Sequence, residues 1–313
     1  MDDNKKKFVH FKVHTQYSIC EGAIKIEDLA KFCKDKKLNA IGLCDSFNLC
    51  GALEFSEEIS KAGTQPIIGS QINFNFDGLI GKIPIFAKTE KGFRNLTKLS
   101  SKSFLEVEAS EPPHCHIDDL IKNNDDLIVT SGGLDSLFYK LIKKNNPKQV
   151  DLLASKIKSI FGNRFYLEIQ RHNDNDQKTI ENNLLDLSKT KKIPIIASQE
   201  VFYIEQDMFE AHDALLCIGQ KTYVNDEKRK KYSDQHYIKS TDEINKIYQD
   251  IPEALDNNYN FPLRFSYKLE KSAPNLPSIQ ISSNLTEQEE LLRQSKIGLK
   301  NRLEHFVFKQ QKN

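Results

Sequence analysis

Seven short apolar runs recur along the first part of the chain, and segments with helical spacing of apolar residues follow several of them. The runs are FVHFKVH (8–14), NAIGLCD (39–45), QPIIGSQ (65–71), KIPIFAK (82–88), DLIVTSG (126–132), RFYLEIQRH (164–172) and IPIIASQE (193–200). Strands that are apolar along their length and alternate with helices are typical of a parallel sheet covered on both faces. Seven such units within about 200 residues favour a closed barrel. The sequence therefore predicts an α/β barrel.

Amphipathic segments supply the helices of this pattern. In KIEDLAKFCKDKK, the residues Ile26, Leu29, Ala30 and Cys33 share one face. Four further segments have helical spacing: ALEFSEEISKAG, GFRNLTKLSS, LFYKLIKK and TIENNLLDLSKTKK.

Composition excludes several classes of protein. Lysine plus arginine (45) nearly balance aspartate plus glutamate (44), so net charge gives no argument for nucleic-acid binding. The six cysteines form no C-x-x-C pair, which favours reduced thiols over disulfides or a zinc knuckle. No run approaches the ~18 apolar residues of a membrane span, and MDDNKKKF lacks the apolar region of a signal peptide. We expect a cytoplasmic protein without membrane partners.

The pattern changes after residue 203. A helix is predicted over 205–220, and the basic run KRKK (228–231) is interpreted as a solvated loop. A stretch rich in proline and serine then reads as a linker, followed by a helix with Thr286 as N-cap and Glu289 in the capping-box position. A linker and a single helix predict the start of a further domain. The expected divisions are a first domain, 1–270, with a barrel core at about 8–203 and an extension of helices and loops at 204–270, and a linker with helix at 271–313.

In barrels of this kind the chemistry lies where strands end and loops begin. The polar residues at the predicted strand ends are His14, Asp45, Ser46, Gln71, Lys82, Lys88, Ser131, Glu168, Arg171, His172, Gln199 and Glu200. This set is polar but poor in metal ligands. In HFKVH, side chains 10, 12 and 14 point the same way, so Lys12 places a positive charge where a cation shared with His14 would lie.

Three smaller groups have two interpretations each. Glu168, Arg171 and His172 form a candidate phosphate-binding cluster, or an Arg–Glu pair that steadies a strand end. HCH at 114–116 has metal-binding residue types but follows EPP in a loop, and we interpret it as incidental. His212, next to Asp213 on a helix, is expected to pin that helix to the barrel.

Over residues 8–305 the sequence resembles the PHP (polymerase and histidinol phosphatase) domain at the N-terminus of the bacterial replicative DNA polymerase III alpha subunit. The resemblance rests on the order and spacing of HFKVHTQYSICEG, NAIGLCDSFNL, FAKTEKGFRNLTKLSS, FYLEIQRH, IPIIASQEVFYI, HDALLCIG and YIKSTDEI. It implies a distorted (β/α)7 barrel which, in members with an intact site, holds a cluster of divalent metal ions.

The resemblance also implies where those ligands would lie. Carried over residue by residue, the ligand positions hold Lys12, His14, Glu21, Ser46, Gln71, Lys82, Gly133, Glu200 and Phe202. Only His14 is unchanged, with acids kept at Glu21 and Glu200, so the resemblance predicts a degenerate site, with no metal and no catalytic residue. The vestigial cleft would consist of His14, Glu21, Asp45, Gln71 and Glu200. Lys12, Ser46, Gln71 and Lys82 are expected to replace the ions by bonding Glu21, Glu200 or Asp45, and His14 to be held by Glu200 or Glu21.

By resemblance, the chain is expected to be a structural and docking module in DNA replication. The implied partners are the rest of the alpha subunit, the proofreading exonuclease subunit and, indirectly, DNA. The polymerase reaction, DNA-directed nucleotidyl transfer, would use Mg²⁺ in a palm domain beyond Asn313. Two alternatives remain open. One is a metal-dependent phosphoesterase or 3′–5′ exonuclease with one ion on His14, Glu21, Asp45 and Glu200, and the other is a free-standing small protein.

Overall fold

The structure, a computed structural model, describes residues 7–274, 277, 281 and 285–307. The chain divides into two compact units, Met1–Glu270 and Lys271–Asn313. Within the described residues, no helix combines the length and apolar character that a membrane crossing needs.

The first unit is built on one sheet. Its strands are β1 (Lys12–Val13), β2 (Ala40–Ser46), β3 (Gln65–Phe76), β4 (Leu79–Ala87), β5 (Cys115–His116), β6 (Leu127–Thr130), β7 (Phe165–Gln170), β8 (Ile195–Ser198) and β9 (Glu200–Val201). The order is β8-β7-β6-β4-β3-β2-β1-β9, with β5 paired to β3. Only Gln199 separates β8 from β9, so one continuous segment forms both ends of the sheet and nearly closes it into a barrel. All seven predicted strands are present, and the predicted α/β barrel is confirmed.

The described part of the chain also contains helices, of which α1 to α10 belong to the first unit and α11 to the second. They are α1 (Ile26–Lys36), α2 (Ala52–Lys61), α3 (Glu90–Leu105), α4 (Ile117–Lys122), α5 (Leu137–Lys143), α6 (Pro147–Phe161), α7 (Gln177–Lys191), α8 (Phe209–Gln220), α9 (Thr241–Ile247), α10 (Pro252–Asn260) and α11 (Glu287–Arg302). The face predicted for α1 is confirmed, because Ile26, Leu29, Ala30 and Cys33 are its buried residues.

The expectation of a fully parallel sheet was wrong for β4. This strand runs antiparallel to both β3 and β6, because a tight hairpin rather than a helix joins it to β3. Asp77 and Gly78 form the turn, with φ of 49° and 80°. Asp-Gly between two apolar runs is a strong hairpin signal, since both central residues of such a turn need positive φ.

Strand register brings the predicted site residues together at the carboxyl ends of the parallel strands. Lys12 of β1 is paired with Glu200 of β9, and Ser46 of β2 is paired with Gln71 of β3. The opposite end is filled by aromatic rings: Phe11 and Phe86 meet edge to face with centroids 5.5 Å apart, and Phe261 lies 4.7 Å from Phe11. The barrel therefore has a packed apolar floor below a polar mouth.

In the second unit, α11 begins at a capping box formed by Thr286 and Glu289, as predicted. No described side chain of this helix is buried. The predicted linker is described only in part, and residues 275–276, 278–280, 282–284 and the KQQKN terminus lie outside the described residues.

Candidate functional site

Lys12 lies in the centre of the polar mouth, fully buried. Its Nζ is 3.1 Å from Oε1 of Glu168 and 3.5 Å from Oε2 of Glu200. Burial alone would lower the pKa of this lysine, but the charges of Glu168 and Glu200 outweigh it and raise that pKa above its usual range. The ammonium is therefore a fixed cation between two buried carboxylates.

A second ammonium lies nearby. Nζ of Lys82 donates to Oε1 of Glu21 at 2.9 Å and to Oγ of Ser46 at 3.0 Å, while Ser46 Oγ donates to the other oxygen of Glu21 at 2.5 Å. Burial raises the pKa of Glu21, but the charges of Lys82 and His14 and the hydrogen bond from Ser46 outweigh it and lower the pKa to about 2. Both oxygens of Glu21 thus have partners.

His14 joins the two halves of the mouth. Its Nε2 is 3.1 Å from Oε1 of Glu200, and its Nδ1 is 3.1 Å from Oγ of Ser18. The Gln71 amide donates to the same oxygen of Glu200 at 2.5 Å and lies 2.9 Å from Nε2 of His14. The predicted contact of His14 with Glu200 is therefore present.

Asp45 is bound to a turn rather than to the centre of the mouth. Its carboxylate accepts from Thr15 N at 2.6 Å, Thr15 Oγ1 at 2.7 Å and Ser18 Oγ at 2.7 Å. Burial raises the pKa of Asp45, an effect that the bonds from Ser18 and Thr15 partly offset. This residue orders the turn that carries Ser18 toward His14, and it contacts neither lysine.

The candidate phosphate cluster is not brought together. Arg171 pairs with Glu181 of α7 at 2.5 Å and with Asp250 at 2.6 Å, away from Glu168. His172 stacks on His236 with ring centroids 3.9 Å apart. Arg171 therefore ties the end of β7 to α7 and to the segment before α10. This matches the interpretation in which Arg171 steadies a strand end, but its partners are Glu181 and Asp250 instead of Glu168.

The segment after α8 covers the mouth. The KRKK run is a loop, as interpreted, and three of its four residues are exposed. Arg229 is the exception, because it is buried and pairs with Asp213. Lys230 pairs with Asp135, and the ring of Tyr232 is buried with its hydroxyl 3.4 Å from Glu21. In addition, Nε2 of His212 is 2.8 Å from the backbone oxygen of Glu21, so His212 fixes α8 to the barrel as predicted.

The HCH residues stay apart from the mouth. His116 caps α4 through a capping box with Asp119, and Nδ1 of His114 is 2.8 Å from the backbone oxygen of Pro112. These contacts belong to local turns.

Comparison with known families matches residues 10–172 to the PHP domain. The chain belongs to the PHP domain family. It is 33% identical to the DNA polymerase III subunit alpha of Caulobacter vibrioides over 97% of this chain and 27% of that protein. It is 34% identical to the subunit of the same name from Borreliella burgdorferi over 97% of this chain and 28% of that protein. The chain thus spans about a quarter of the length of these relatives.

Two solved structures that resemble this PHP chain have lower sequence identity to it. An amidohydrolase from Chromobacterium violaceum aligns with a TM-score of 0.42 and 8% identity over 66% of this chain and 96% of that chain. A two-domain protein from Bacteroides vulgatus, described as containing a predicted PHP-like metal-dependent phosphoesterase, aligns with a TM-score of 0.38 and 12% identity over 81% of this chain and 63% of that one.

At the ligand positions expected from the resemblance, several of the residues present are not metal ligands. Among the described residues, no three histidine, cysteine, aspartate or glutamate side chains converge as a metal centre would require. Two of the positions carry ammonium groups. The third position holds Phe202, whose ring centroid lies 4.6 Å from that of His14. The fourth holds Gly133, and Oε1 of Gln170 lies 1.8 Å from the place that a Cβ of this residue would occupy.

Sequence reasoning missed two residues of this mouth and assigned the wrong partner to a third. Glu168 was grouped with Arg171 rather than Lys12, and Gln170 and Tyr232 were not singled out. The Gln170 amide donates to Oε1 of Glu168 at 2.5 Å, and the Thr130 hydroxyl donates to Oε2 of Glu168 at 2.6 Å. The signal for Glu168 was its place in an otherwise apolar strand, because a buried carboxylate needs a cation or hydrogen-bond donors.

Proposed function

We propose that this chain is the PHP region of a DNA polymerase III alpha subunit, in which the barrel is a structural and docking module rather than a hydrolase. The similarity to two such subunits over nearly the whole chain supports the assignment. The observation that carries the loss of hydrolysis is the ion pairing of Lys12 with Glu168 and Glu200, because an ammonium there repels a divalent cation and uses both carboxylates.

Metal analysis tests the loss of hydrolysis. The full chain, purified without a histidine tag, is expected to carry less than one equivalent of zinc or manganese by mass spectrometry. It is also expected to show no metal-stimulated phosphatase or 3′–5′ exonuclease activity. Stoichiometric metal that survives dialysis, with an activity that His14→Ala abolishes, would restore the single-ion enzyme as the function.

We also propose the partners of the module. They are the rest of the alpha subunit, which carries the Mg²⁺-dependent polymerase reaction and contacts DNA, and the proofreading exonuclease subunit. A barrel that keeps its fold without metal-ligating residues needs a role other than hydrolysis. Docking an editing enzyme beside a polymerase is such a role.

Co-elution of the purified chain with the cognate exonuclease subunit, without DNA, tests the docking. A complex at tens of micromolar is expected. If only the full-length alpha subunit forms the complex under the same conditions, docking does not reside in this domain.

A further inference from the structure

A cavity of about 460 Å³ lies on the flank of the barrel, apart from the mouth. We call it the flank cavity. Residues at the start of β1, in α1 and in the segments around Glu205 and Ile238 line it. Its volume falls within the range of small-ligand sites, which are mostly apolar with a few polar groups. Phe8, Phe32 and Tyr237 give it aromatic walls.

Lys239 lines this cavity and is only 3% exposed. Its Nζ donates to the backbone oxygen of Gln235, lies 3.4 Å from Oε1 of Gln199 and lies 4.2 Å from the centroid of the Tyr237 ring. Nothing in the described part of the chain places a carboxylate within ion-pair distance of it. All of its close partners are therefore neutral.

Comparison with Lys12 shows how neutral surroundings change the pKa of a buried lysine. Both lysines are buried, but Lys12 contacts two carboxylates and stays charged. Burial of Lys239 outweighs the more distant charges of Glu243 and Asp234 and lowers its pKa from 10.5 to about 8. The neutral amine is then on the order of a hundred times more abundant at neutral pH than in an ordinary lysine. Neutral amines are the nucleophilic form.

His10 fixes the backbone at this point. Its Nε2 is 2.9 Å from the backbone oxygen of Lys239, and because a carbonyl oxygen only accepts, Nε2 carries the proton. His10 is itself 3% exposed. Residue 239 is thus held to the start of β1 beside the cavity.

We propose that the flank cavity is a small-molecule site in which Lys239 forms an imine with an aldehyde or ketone carried on an aromatic ring. The aromatic walls would hold the ring. The lone pair of the neutral amine attacks the carbonyl carbon, and a proton moves from nitrogen to oxygen to give a carbinolamine. This species loses water as the C=N bond forms, so the step needs no oxidant or reductant. The inference is independent of the polymerase assignment.

Salicylaldehyde is the probe for this site. The full chain is incubated with it at neutral pH, the imines are reduced with borohydride, and the modified lysines are mapped by peptide mass spectrometry. Lys239 is expected to be modified on the order of ten-fold more than an exposed lysine such as Lys61, and Lys12 is expected to stay unmodified. Lys239→Arg, which keeps the positive charge but cannot form an imine, should lose only that peptide. Modification of Lys239 no greater than that of Lys61 would overturn the proposal.

A second variant tests the cavity itself. Leu38→Trp fills the flank cavity without changing the lysine, so labelling of Lys239 should fall several-fold while the circular dichroism spectrum stays that of the parent. If the folded variant is labelled at Lys239 as fast as the parent, the aldehyde does not reach the lysine through the cavity, and the site is refuted.

Discussion

At the scale of single residues, the mouth of the barrel depends on two ammonium groups. Lys12 and Lys82 each neutralise carboxylates that the fold has removed from water, at Glu168 and Glu200 for the first and at Glu21 for the second. Burying an ion pair gives little net stability, but removing one partner leaves an uncompensated buried charge. The lysines are therefore expected to be more important to the fold than their exposed counterparts.

Lys12→Met tests this dependence. The variant leaves Glu168 and Glu200 buried without a cation, so its free energy of unfolding should fall by about 3–5 kcal/mol in urea titrations. Lys61→Met is the matched control, since Lys61 is 67% exposed and pairs with Glu58 at 2.6 Å. A pair exposed in this way contributes less than about 1 kcal/mol. Equal stability of the two variants would show that the buried carboxylates do not need the ammonium.

His10 predicts a pH dependence of stability. Burial, which outweighs its hydrogen bond to Lys239, lowers the pKa of His10 from 6.5 to about 4 in the folded chain. The unfolded chain then binds more protons between these two pH values. The contribution of His10 to the free energy of unfolding is therefore complete above pH 6.5. About 3 kcal/mol of this free energy is lost as the pH falls to 4.

The matching variant is His10→Phe, which cannot titrate. Its free energy of unfolding should fall less steeply than that of the parent between pH 6.5 and 4. Parallel curves for the two proteins would mean that His10 titrates normally in the folded state.

The sequence and its family resemblance predicted several contacts of the mouth, but not every partner. The contacts of His14 with Glu200 and of Lys82 with Glu21 were expected. Glu168 was missed as the nearer partner of Lys12, because that contact crosses the barrel between strands distant in sequence. Pairing across a barrel depends on strand tilt and side-chain reach, which a single sequence does not specify.

At the scale of elements, local signals account for both the successes and the errors. Helix α11 was predicted because Thr286 and Glu289 form a capping box that depends on nearby residues alone. Helices α4, α6, α9 and α10 were not predicted individually. Ser240 and Glu243 form the same capping motif at α9, and a proline lies at the start of both α6 and α10. The apolar faces of α4, α9 and α10 are short, so periodicity indicates them only weakly, whereas the apolar face of α6 was overlooked. The predicted direction of β4 was wrong because the alternation of strands with helices was given more weight than the hairpin signal of Asp77–Gly78.

Gly78→Ala tests the hairpin that reverses β4. Gly78 has φ of +80°, and no atom lies within 4 Å of where a Cβ would be placed, so backbone strain alone should destabilise the variant, by about 1–2 kcal/mol. In Gly298→Ala on α11, where space is also open, the same substitution should instead increase helix content. Chemical denaturation and far-ultraviolet circular dichroism measure the two effects. An unchanged stability of Gly78→Ala would contradict the turn geometry.

At the scale of the whole molecule, the proposal that lysines stand in place of metal ions predicts that chelators do not affect the barrel. Excess EDTA is expected to leave the melting temperature unchanged, because no metal-binding free energy is linked to folding. Added zinc, by the same reasoning, should not raise it. A fall in melting temperature with EDTA that zinc reverses would show that the fold holds a metal.

The segment that closes the barrel also constrains how the chain can be made. Lys12 of β1 pairs with Glu200 of β9, so one edge of the first strand stays open until the ribosome has released almost the entire barrel. Contacts this distant in sequence slow folding, and an open strand edge is a template for wrong pairing. During translation the β1 edge that pairs with β9 therefore stays unpaired until residue 200 has left the ribosome.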